Sequence, residues 1–113
     1  MSYTETYELI SDDFWAFVRQ EGDRGDHFRK HYEKIYEGGV IDAKTKRLMA
    51  LCGAIAAGCK GCILGQTVKA IENGATKEEI LETCSVAWSL GGTMAGSQIA
   101  MVMGLLREKG MIS

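Results

Sequence analysis

The residues of greatest chemical interest are two cysteines, Cys59 and Cys62, which are separated only by Lys60 and Gly61. Two cysteines with this spacing at the start of a helix can form a disulfide. The free N–H groups and the dipole of the helix start favour a thiolate over a thiol, and Lys60 adds a nearby positive charge. A thiolate attacks an electrophilic substrate, and the second cysteine then closes a disulfide before the first is oxidised further. The pair therefore predicts thiol–disulfide chemistry.

Other roles for the cysteines are less well supported by their surroundings. A haem attachment site needs a histidine directly after Cys62, where Ile63 stands instead. A structural zinc site of this kind needs a second close pair, whereas Cys52 and Cys84 are single residues on apolar helical stripes. We therefore expect these two to pack in the core and predict no metal and no cofactor. Core packing is also the alternative for the close pair itself.

Three further polar residues could assist the thiols. Gln66 follows Cys62 by one helical turn and shares its face, so it could orient a water or a substrate oxygen, although a surface position is an equal alternative. His27 and His31 are spaced for one helix face but lack a third metal ligand, which favours solvated surface. Histidine transfers protons near neutral pH, so either could serve as proton donor, within the fold or across an oligomer interface.

Composition indicates one helical domain covering residues 1–113. The chain is 46% apolar and 25% charged, with 14 glycines and no proline, which suits uninterrupted helices ended by glycines. The net charge of -2 gives no electrostatic reason to expect a nucleic-acid partner. No charged and apolar leader opens the chain, and we expect a cytoplasmic protein.

Glycine-containing breaks and apolar spacings of three and four predict an all-α bundle of about six helices. The predicted helices cover Tyr3 or Ser11 to Gln20, Asp26 to Glu37, Asp42 to Gly58, Cys59 to Asn73, Lys77 to Leu90, and Thr93 to Lys109. The residues expected on their buried faces include Ile10, Phe14, Phe17, Val18, Phe28, Tyr32, Ile35, Tyr36, Cys84, Ala87 and Trp88.

Several helix ends have recognisable capping residues. Asp42 is a candidate N-cap, and Thr76 with Glu79 forms a capping-box pattern. Gly58 and the pair Gly38-Gly39 are candidates for ending helices, the pair by adopting the left-handed conformation.

Residues 83–106 carry no charge and are numerous enough to span a bilayer. Their serines, Thr93 and Gln98, together with the break at Gly91-Gly92, instead predict two buried helices and no membrane partner. Gly96, Ala100 and Gly104 form a small-residue strip that another helix could approach closely. A helix so apolar all round favours self-association.

From Asp42 to about Leu90 the chain resembles the alkylhydroperoxidase D-like, or carboxymuconolactone decarboxylase, family. The matching segments are KTKRLMAL at residues 44–51, AIAAGCKGC at 54–62 and KAIENGATKEEI at 69–80, and the family-like core covers about residues 42–106. The resemblance implies an all-helical homotrimer or hexamer. It also implies a thiol peroxidase or disulfide reductase that takes a small hydroperoxide or disulfide substrate and is reduced by a dithiol.

The resemblance assigns Cys62 as the attacking sulfur and Cys59 as its resolving partner, whereas the helix-start argument alone activates Cys59 first. The family's cysteine-pair pattern also carries a glutamate and a histidine that relay protons, and Arg47 and Gln66 stand at those positions here. Either an altered relay operates, with Arg47 stabilising thiolate, or peroxidase activity is weak.

Two other functions stay open at this point. One is a non-catalytic, redox-responsive oligomer that has lost the proton relay. The other is decarboxylase-like chemistry, although that branch of the family generally lacks the cysteine pair and uses histidine.

Overall fold

The computed structural model describes residues 1–113 as five α-helices with no strand, which confirms the all-α prediction. The helices are α1 (Tyr3–Gln20), α2 (Asp23–Tyr36), α3 (Ala43–Ala57), α4 (Lys60–Glu72) and α5 (Lys77–Glu108). Helices α3, α4 and α5 pack together as the core, and α1 lies across α4 and α5 with α2 folded back beside it.

The predicted N-caps are confirmed. Asp42 accepts the backbone N–H of Thr45 at 2.7 Å and begins α3. The Thr76 hydroxyl accepts the N–H of Glu79 at 3.1 Å, and the Glu79 carboxylate accepts the N–H of Thr76 at 2.8 Å. Each cap satisfies backbone donors that have no partner inside the helix. Helix α1 begins at Tyr3, the earlier of the two predicted starts, behind a Ser2 capping box.

The predicted fifth and sixth helices form one element, α5, which is why there are five helices rather than six. The predicted break survives as a kink at Gly92, whose φ of 59° and ψ of -141° are not helical. Glycine adopts this positive φ without the steric cost that a side chain would add. The hydrogen-bonded helix resumes at once, so the chain changes direction without a loop.

Helix α2 departs from its predicted start and from the predicted way of ending, although it ends at the predicted place, with Glu37 as C-cap. It begins at Asp23, because only Gly22 breaks the chain, and Gly25 lies buried inside the helix against the carbonyl of Val18 in α1. Gly38 and Gly39 do not take the left-handed conformation, so that prediction is wrong. Lys46 does the capping instead, because its Nζ donates to the carbonyls of Ile35 and Glu37, each at 2.7 Å.

The main core is a cluster of buried residues contributed chiefly by α3, α4 and α5. Its largest fully buried side chains include Leu51, Ile55, Ile63, Ile80 and Leu106. Cys84 belongs to this cluster and Cys52 packs at its edge, as predicted. A smaller cluster of Leu64, Val68 and Leu105 joins α4 to α5 and receives Tyr7 from α1.

Several apolar side chains predicted to be buried are exposed in the single chain. Phe14, Phe17, Phe28 and Ile35 on the α1–α2 pair are at least two-fifths exposed. They are exposed because α2 makes little contact with the core helices and α1 presents only part of its surface to α4 and α5.

A second exposed region follows the middle of α5. Trp88 is 60% exposed and Leu90 is 73% exposed, which corrects the burial predicted for Trp88 and for this part of the helix. We call Val86, Leu90 and Met94 the α5 strip. Helix α5 is long and apolar enough to cross a bilayer by length and composition alone, which is weak evidence because core helices of soluble proteins pass the same test.

The start of α1 is tied to the end of α5. The Glu108 carboxylate accepts the backbone N–H groups of Tyr3 and Thr4 at 2.8 and 2.9 Å, and the Thr4 hydroxyl at 2.7 Å. Gly104 leaves room for the Tyr3 ring, so part of the predicted small-residue strip receives α1 of the same chain. These contacts hold α1 over α4.

Candidate active site

Cys59 and Cys62 lie at the start of α4. Gly58 ends α3 in the left-handed conformation, and Cys59 follows as the extended N-cap of α4. The two cysteines are joined by a disulfide with their Cα atoms 5.2 Å apart. The Cys59 sulfur also accepts the backbone N–H of Cys62 at 3.3 Å. Both sulfurs therefore lie where the N–H groups of a helix start stabilise negative charge.

The four cysteines differ in accessibility. Cys62 is exposed and Cys59 is half-buried, so an incoming reagent reaches Cys62 more readily. Cys52 and Cys84 are free thiols. Burial, followed by the nearby Cys52, raises the pKa of Cys84 to about 11, which keeps it a thiol. Cys62 is thus the one exposed cysteine, while Cys52 is half-buried like Cys59.

A cavity of about 350 Å³ opens beside the pair. Its walls come from α1, from Tyr32 of α2 and from one face of α4, on which Gln66 and Lys69 follow the cysteines. The lining residues are Tyr7, Ile10, Ser11, Phe14, Trp15, Tyr32, Cys59, Gly61, Cys62, Gly65, Gln66 and Lys69. Mainly apolar walls with a few polar groups are typical of small-molecule sites.

Arg47 of α3 lies buried behind this cavity, with 8% of its surface exposed. Its Nη1 donates to the Tyr32 hydroxyl at 2.7 Å and to the Gln66 side-chain oxygen at 3.1 Å. Its guanidinium carbon lies 3.7 Å from the centre of the Tyr36 ring and 5.3 Å from that of Tyr32. Two hydrogen bonds and two aromatic faces thus replace water around the buried charge.

Tyr36 completes this polar group on the side of α2. Gln66 Nε2 donates to the Tyr36 hydroxyl at 3.5 Å. Burial and the nearby Tyr32 raise the pKa of Tyr36, while Arg47 opposes the rise. Tyr36 therefore stays a neutral phenol, and it is not among the residues that line the cavity.

Residues 25–102 match the family model of the carboxymuconolactone decarboxylase family. The chain belongs to this family. The match extends beyond the segment from Asp42 to Leu90 on which the resemblance was recognised, and it takes in all of α3 and α4, most of α2 and most of α5. The cysteine pair therefore lies in the part of the chain that matches the family model, whereas five of the twelve residues that line the cavity belong to α1, outside it.

Solved structures of family members share this fold. A carboxymuconolactone decarboxylase family protein from Legionella pneumophila aligns with a TM-score of 0.85 at 26% identity, over 94% of this chain and 95% of that one. A family protein from Thermotoga maritima, for which involvement in an antioxidative response has been suggested, aligns with a TM-score of 0.83 at 26% identity, over 93% and 90%. These alignments include α1, which the family model leaves out.

Two relatives are similar over shorter stretches. An uncharacterised protein of Cupriavidus necator is 32% identical over 56 residues, which are half of this chain and half of that protein. An uncharacterised protein encoded in the cox locus of Paracoccus denitrificans is 31% identical over 74 residues, or 66% of this chain and 67% of its own length. These relatives establish kinship without adding an activity.

The structure brings four of the six predicted site residues together. Cys59, Cys62 and Gln66 line the cavity, and Arg47 contacts Gln66 directly. The two positions at which the family's cysteine-pair pattern has a glutamate and a histidine are therefore in contact here too. Gln66 is half-buried with both ends of its amide engaged, which excludes the surface alternative.

His27 and His31 lie elsewhere. Both are exposed on α2, and neither lines the cavity of this chain. Their predicted role as proton donors now depends on a second copy bringing them to the cysteines, and it stays a prediction. No group of three or more histidine, cysteine or acidic side chains is placed to hold a metal ion.

Sequence reasoning missed the aromatic half of the site. Tyr7, Trp15 and Lys69 were not singled out, and Tyr32 was assigned to the core. A signal for α1 was available, because Tyr7, Ser11 and Phe14 recur at helical spacing and line the cavity as one face. For Tyr32 there was no local signal, because its partner Arg47 lies on another helix.

Proposed function

We propose that this protein is a thiol–disulfide oxidoreductase of peroxidase type that reduces small hydroperoxides. The observation that carries the proposal is the Cys59–Cys62 disulfide at the start of α4, with both residues lining an apolar cavity large enough for a small organic molecule. Membership of the family and the suggested antioxidative involvement of the Thermotoga maritima protein support it.

The proposed reaction uses the two sulfurs in sequence. The Cys62 thiolate attacks the terminal oxygen of the hydroperoxide; an S–O bond forms, the O–O bond breaks, and the alkoxide that leaves takes up a proton to become an alcohol. The Cys59 thiol then attacks the sulfenic sulfur of Cys62, and water leaves as the disulfide forms. A dithiol reductant restores both thiols by exchange and is itself oxidised to a disulfide.

The order of the two sulfurs follows their accessibility. The first attack requires contact with an external peroxide, and Cys62 is exposed whereas Cys59 is half-buried. The second attack is intramolecular and needs only the short separation that the disulfide already displays. This order agrees with the one implied by the family resemblance and differs from the one that the helix start alone would favour.

The cavity favours a hydroperoxide that carries an apolar group. Its walls near the sulfurs include Ile10, Phe14 and Trp15, which offer apolar surface to such a group and nothing to hydrogen peroxide. We therefore propose organic hydroperoxides as better substrates than hydrogen peroxide. The protein would act in the cytoplasm as a homo-oligomer, a trimer or hexamer, with the α5 strip as the natural surface for self-association.

The experiment that tests the proposal is stopped-flow oxidation of the fully reduced protein. Hydrogen peroxide and cumene hydroperoxide are each mixed with wild type, Cys62→Ser, Cys59→Ser and the control Cys52→Ser, and the products are identified by mass spectrometry. We expect fast oxidation in wild type and Cys52→Ser, a stable sulfenic acid in Cys59→Ser, and no fast phase in Cys62→Ser. Fast peroxide consumption that survives Cys62→Ser would refute the proposed site.

One observation favours a second candidate, a redox-responsive protein without turnover. Arg47 and Gln66 stand at the relay positions, and neither is suited to relaying a proton at neutral pH. In that case the disulfide would form slowly and act as a signal. Peroxide oxidation no faster than that of free cysteine, together with a change of oligomeric state on disulfide formation, would favour this candidate; size-exclusion chromatography with light scattering measures the latter.

A further inference from the structure

The Tyr32 hydroxyl connects the buried charge to the cavity. It accepts a hydrogen bond from Arg47 at 2.7 Å, and the residue lines the same cavity as Cys59 and Cys62. We propose that Tyr32 is a catalytic residue that donates the proton taken up by the departing alkoxide, in place of the histidine relay that this chain lacks. The inference rests on the proposed peroxidase function and adds to it the identity of the acid.

The first argument concerns the hydrogen bonds of Tyr32. A phenol has one proton to donate and two lone pairs, and a guanidinium can only donate. Arg47 therefore uses a lone pair of Tyr32 and leaves its O–H proton free, and no other side chain or carbonyl of the structure accepts that proton. The Tyr32 proton is therefore not committed to another group of the chain, and the residue that carries it lines the cavity.

The second argument concerns charge. Donation turns Tyr32 into a phenolate, which is costly in an apolar wall unless a cation lies beside it. Arg47 is such a cation: it is buried and forms no ion pair with any carboxylate of the chain. Its charge is therefore free to stabilise the phenolate through the hydrogen bond that already exists.

Three other polar residues of the cavity, Gln66, Lys69 and Tyr7, are poorer candidates for the acid. The Gln66 amide donates to Tyr36 and is far too weak an acid to give up a proton. Lys69 lies seven residues beyond Cys62 on α4, about 10 Å along the helix. Tyr7 also carries a phenol in the lining but contacts the apolar Leu64 cluster and has no cation bonded to it.

Every proton of the proposed step is accounted for. When the Cys62 thiolate attacks, the hydroxyl end of the peroxide stays on sulfur and the alkoxide receives the Tyr32 proton, giving sulfenic acid, alcohol and phenolate. The proton that Cys62 released when it became a thiolate later returns to Tyr32 from solvent. Arg47 keeps its charge throughout and acts through Tyr32, so it is a positioning residue.

The test compares three reagents whose leaving groups differ in their need for an acid. An alkyl hydroperoxide leaves as an alkoxide and needs a proton, a peroxy acid leaves as a stable carboxylate, and iodoacetamide releases iodide. We expect Tyr32→Phe to slow Cys62 oxidation by tert-butyl hydroperoxide about 10²-fold, the usual size of a general-acid effect. The rates with peracetic acid and iodoacetamide should stay within about twofold. Tyr3→Phe, which removes a phenolic hydroxyl outside the cavity lining, is the control.

A second variant, Arg47→Lys, tests whether Arg47 and Tyr32 act through the same step of the reaction. Arg47→Lys should lower the tert-butyl hydroperoxide rate in the wild-type background and have little further effect in Tyr32→Phe, because both act through one proton transfer. Additive losses, equal slowing with all three reagents, or a fast Tyr32→Phe in a fast wild type would overturn the role of Tyr32 alone. A wild-type rate no faster than that of free cysteine would overturn the proposed function with it.

Discussion

Arg47 donates a hydrogen bond to the side-chain oxygen of Gln66 at 3.1 Å, so the two residues that replace the family's glutamate and histidine contact each other. Where the family resemblance implies a carboxylate and an imidazole, this chain has a fixed cation and a neutral amide, and neither of these side chains can relay a proton. The Tyr32 hydroxyl, bonded to the same guanidinium, carries a proton and belongs to a residue that lines the cavity.

This relationship predicts the result of restoring the family's pair. In Arg47→Glu with Gln66→His, the imidazole supplies the proton beside Cys62, and the glutamate orients it. We expect hydroperoxide oxidation at least about tenfold faster than in wild type, within the range of general acid–base effects, and no longer sensitive to Tyr32→Phe. Stopped-flow oxidation of the reduced variants measures both. A rate unchanged from an already fast wild type would show that the relay was never missing.

Alanine should have opposite effects on the free energy of unfolding at two glycines, Gly25, where α2 packs on α1, and Gly53 in α3. A Cβ at Gly25 would collide with the backbone carbonyl of Val18, which cannot move without shifting α1. We expect Gly25→Ala to lower the free energy of unfolding by about 1–3 kcal/mol, as overpacking does. Gly53 in α3 has nothing near its Cβ direction, so Gly53→Ala should raise it by up to about 1 kcal/mol. Urea titration monitored by circular dichroism compares the two, and equal effects would contradict the contact.

Ionisation of Glu79 should account for part of the loss in the free energy of unfolding at acidic pH. The ion pair with Lys44 at 2.8 Å, followed by the Thr76 cap, lowers the pKa of Glu79 below its ordinary value of 4.5. A lowered folded-state pKa adds stability that is present above pH 4.5 and is lost as the pH falls through the folded value. Glu79→Gln keeps the capping geometry, so it should be less stable at pH 7 yet lose less on acidification. Glu78→Gln, with its exposed neighbour pair, is the control for thermal melts at both pH values.

The thiol of Cys84 is predicted to be unreactive in the folded protein. With its pKa raised to about 11 by burial, the thiolate fraction at pH 8 is about 10⁻³. In reduced native protein, we expect iodoacetamide to modify Cys62 first and Cys84 last, by mass spectrometry of quenched samples. All four cysteines should react in denaturant. Early labelling of Cys84 would contradict the buried position.

Most helix starts could be predicted because their signals are local. The side chains of Asp42 and Thr76 bond to backbone N–H groups three residues ahead, so the pattern that defines the cap lies within four residues of sequence. The end of α2 near Glu37 was also predicted correctly, but the group that caps it could not be predicted in this way. Lys46 supplies the cap from the start of α3, and nothing next to Gly38 announces a donor that the fold brings back.

The residues of the site likewise differ in whether a local sequence signal predicts them. The Cys59–Cys62 pair can be recognised in the sequence because its spacing at a helix start is sufficient for forming a disulfide. The contact between Arg47 and Tyr32 joins two helices that are separated by a loop, and helical periodicity could say only that Tyr32 faces inward. Whether such a face meets core or cavity depends on how α1 lies across α4, which tertiary contacts such as the one between Tyr3 and Gly104 decide.

The α5 strip predicts how the proposed oligomer can be dissociated. Leu90, at 73% exposure, has Val86 one helical turn before it, and Met94 is a third exposed apolar residue just beyond the kink at Gly92. Burial against a second copy would remove this surface from water, whereas a buried carboxylate without a partner would be costly.

We expect Leu90→Glu to convert a trimer or hexamer to smaller species on size-exclusion chromatography with light scattering. Val40→Glu, at an apolar position outside α5 that is even more exposed than Leu90, should leave the assembly intact. A wild type that runs as a monomer at micromolar concentration would contradict the proposed assembly, and an oligomer unaffected by Leu90→Glu would place its interface on another surface.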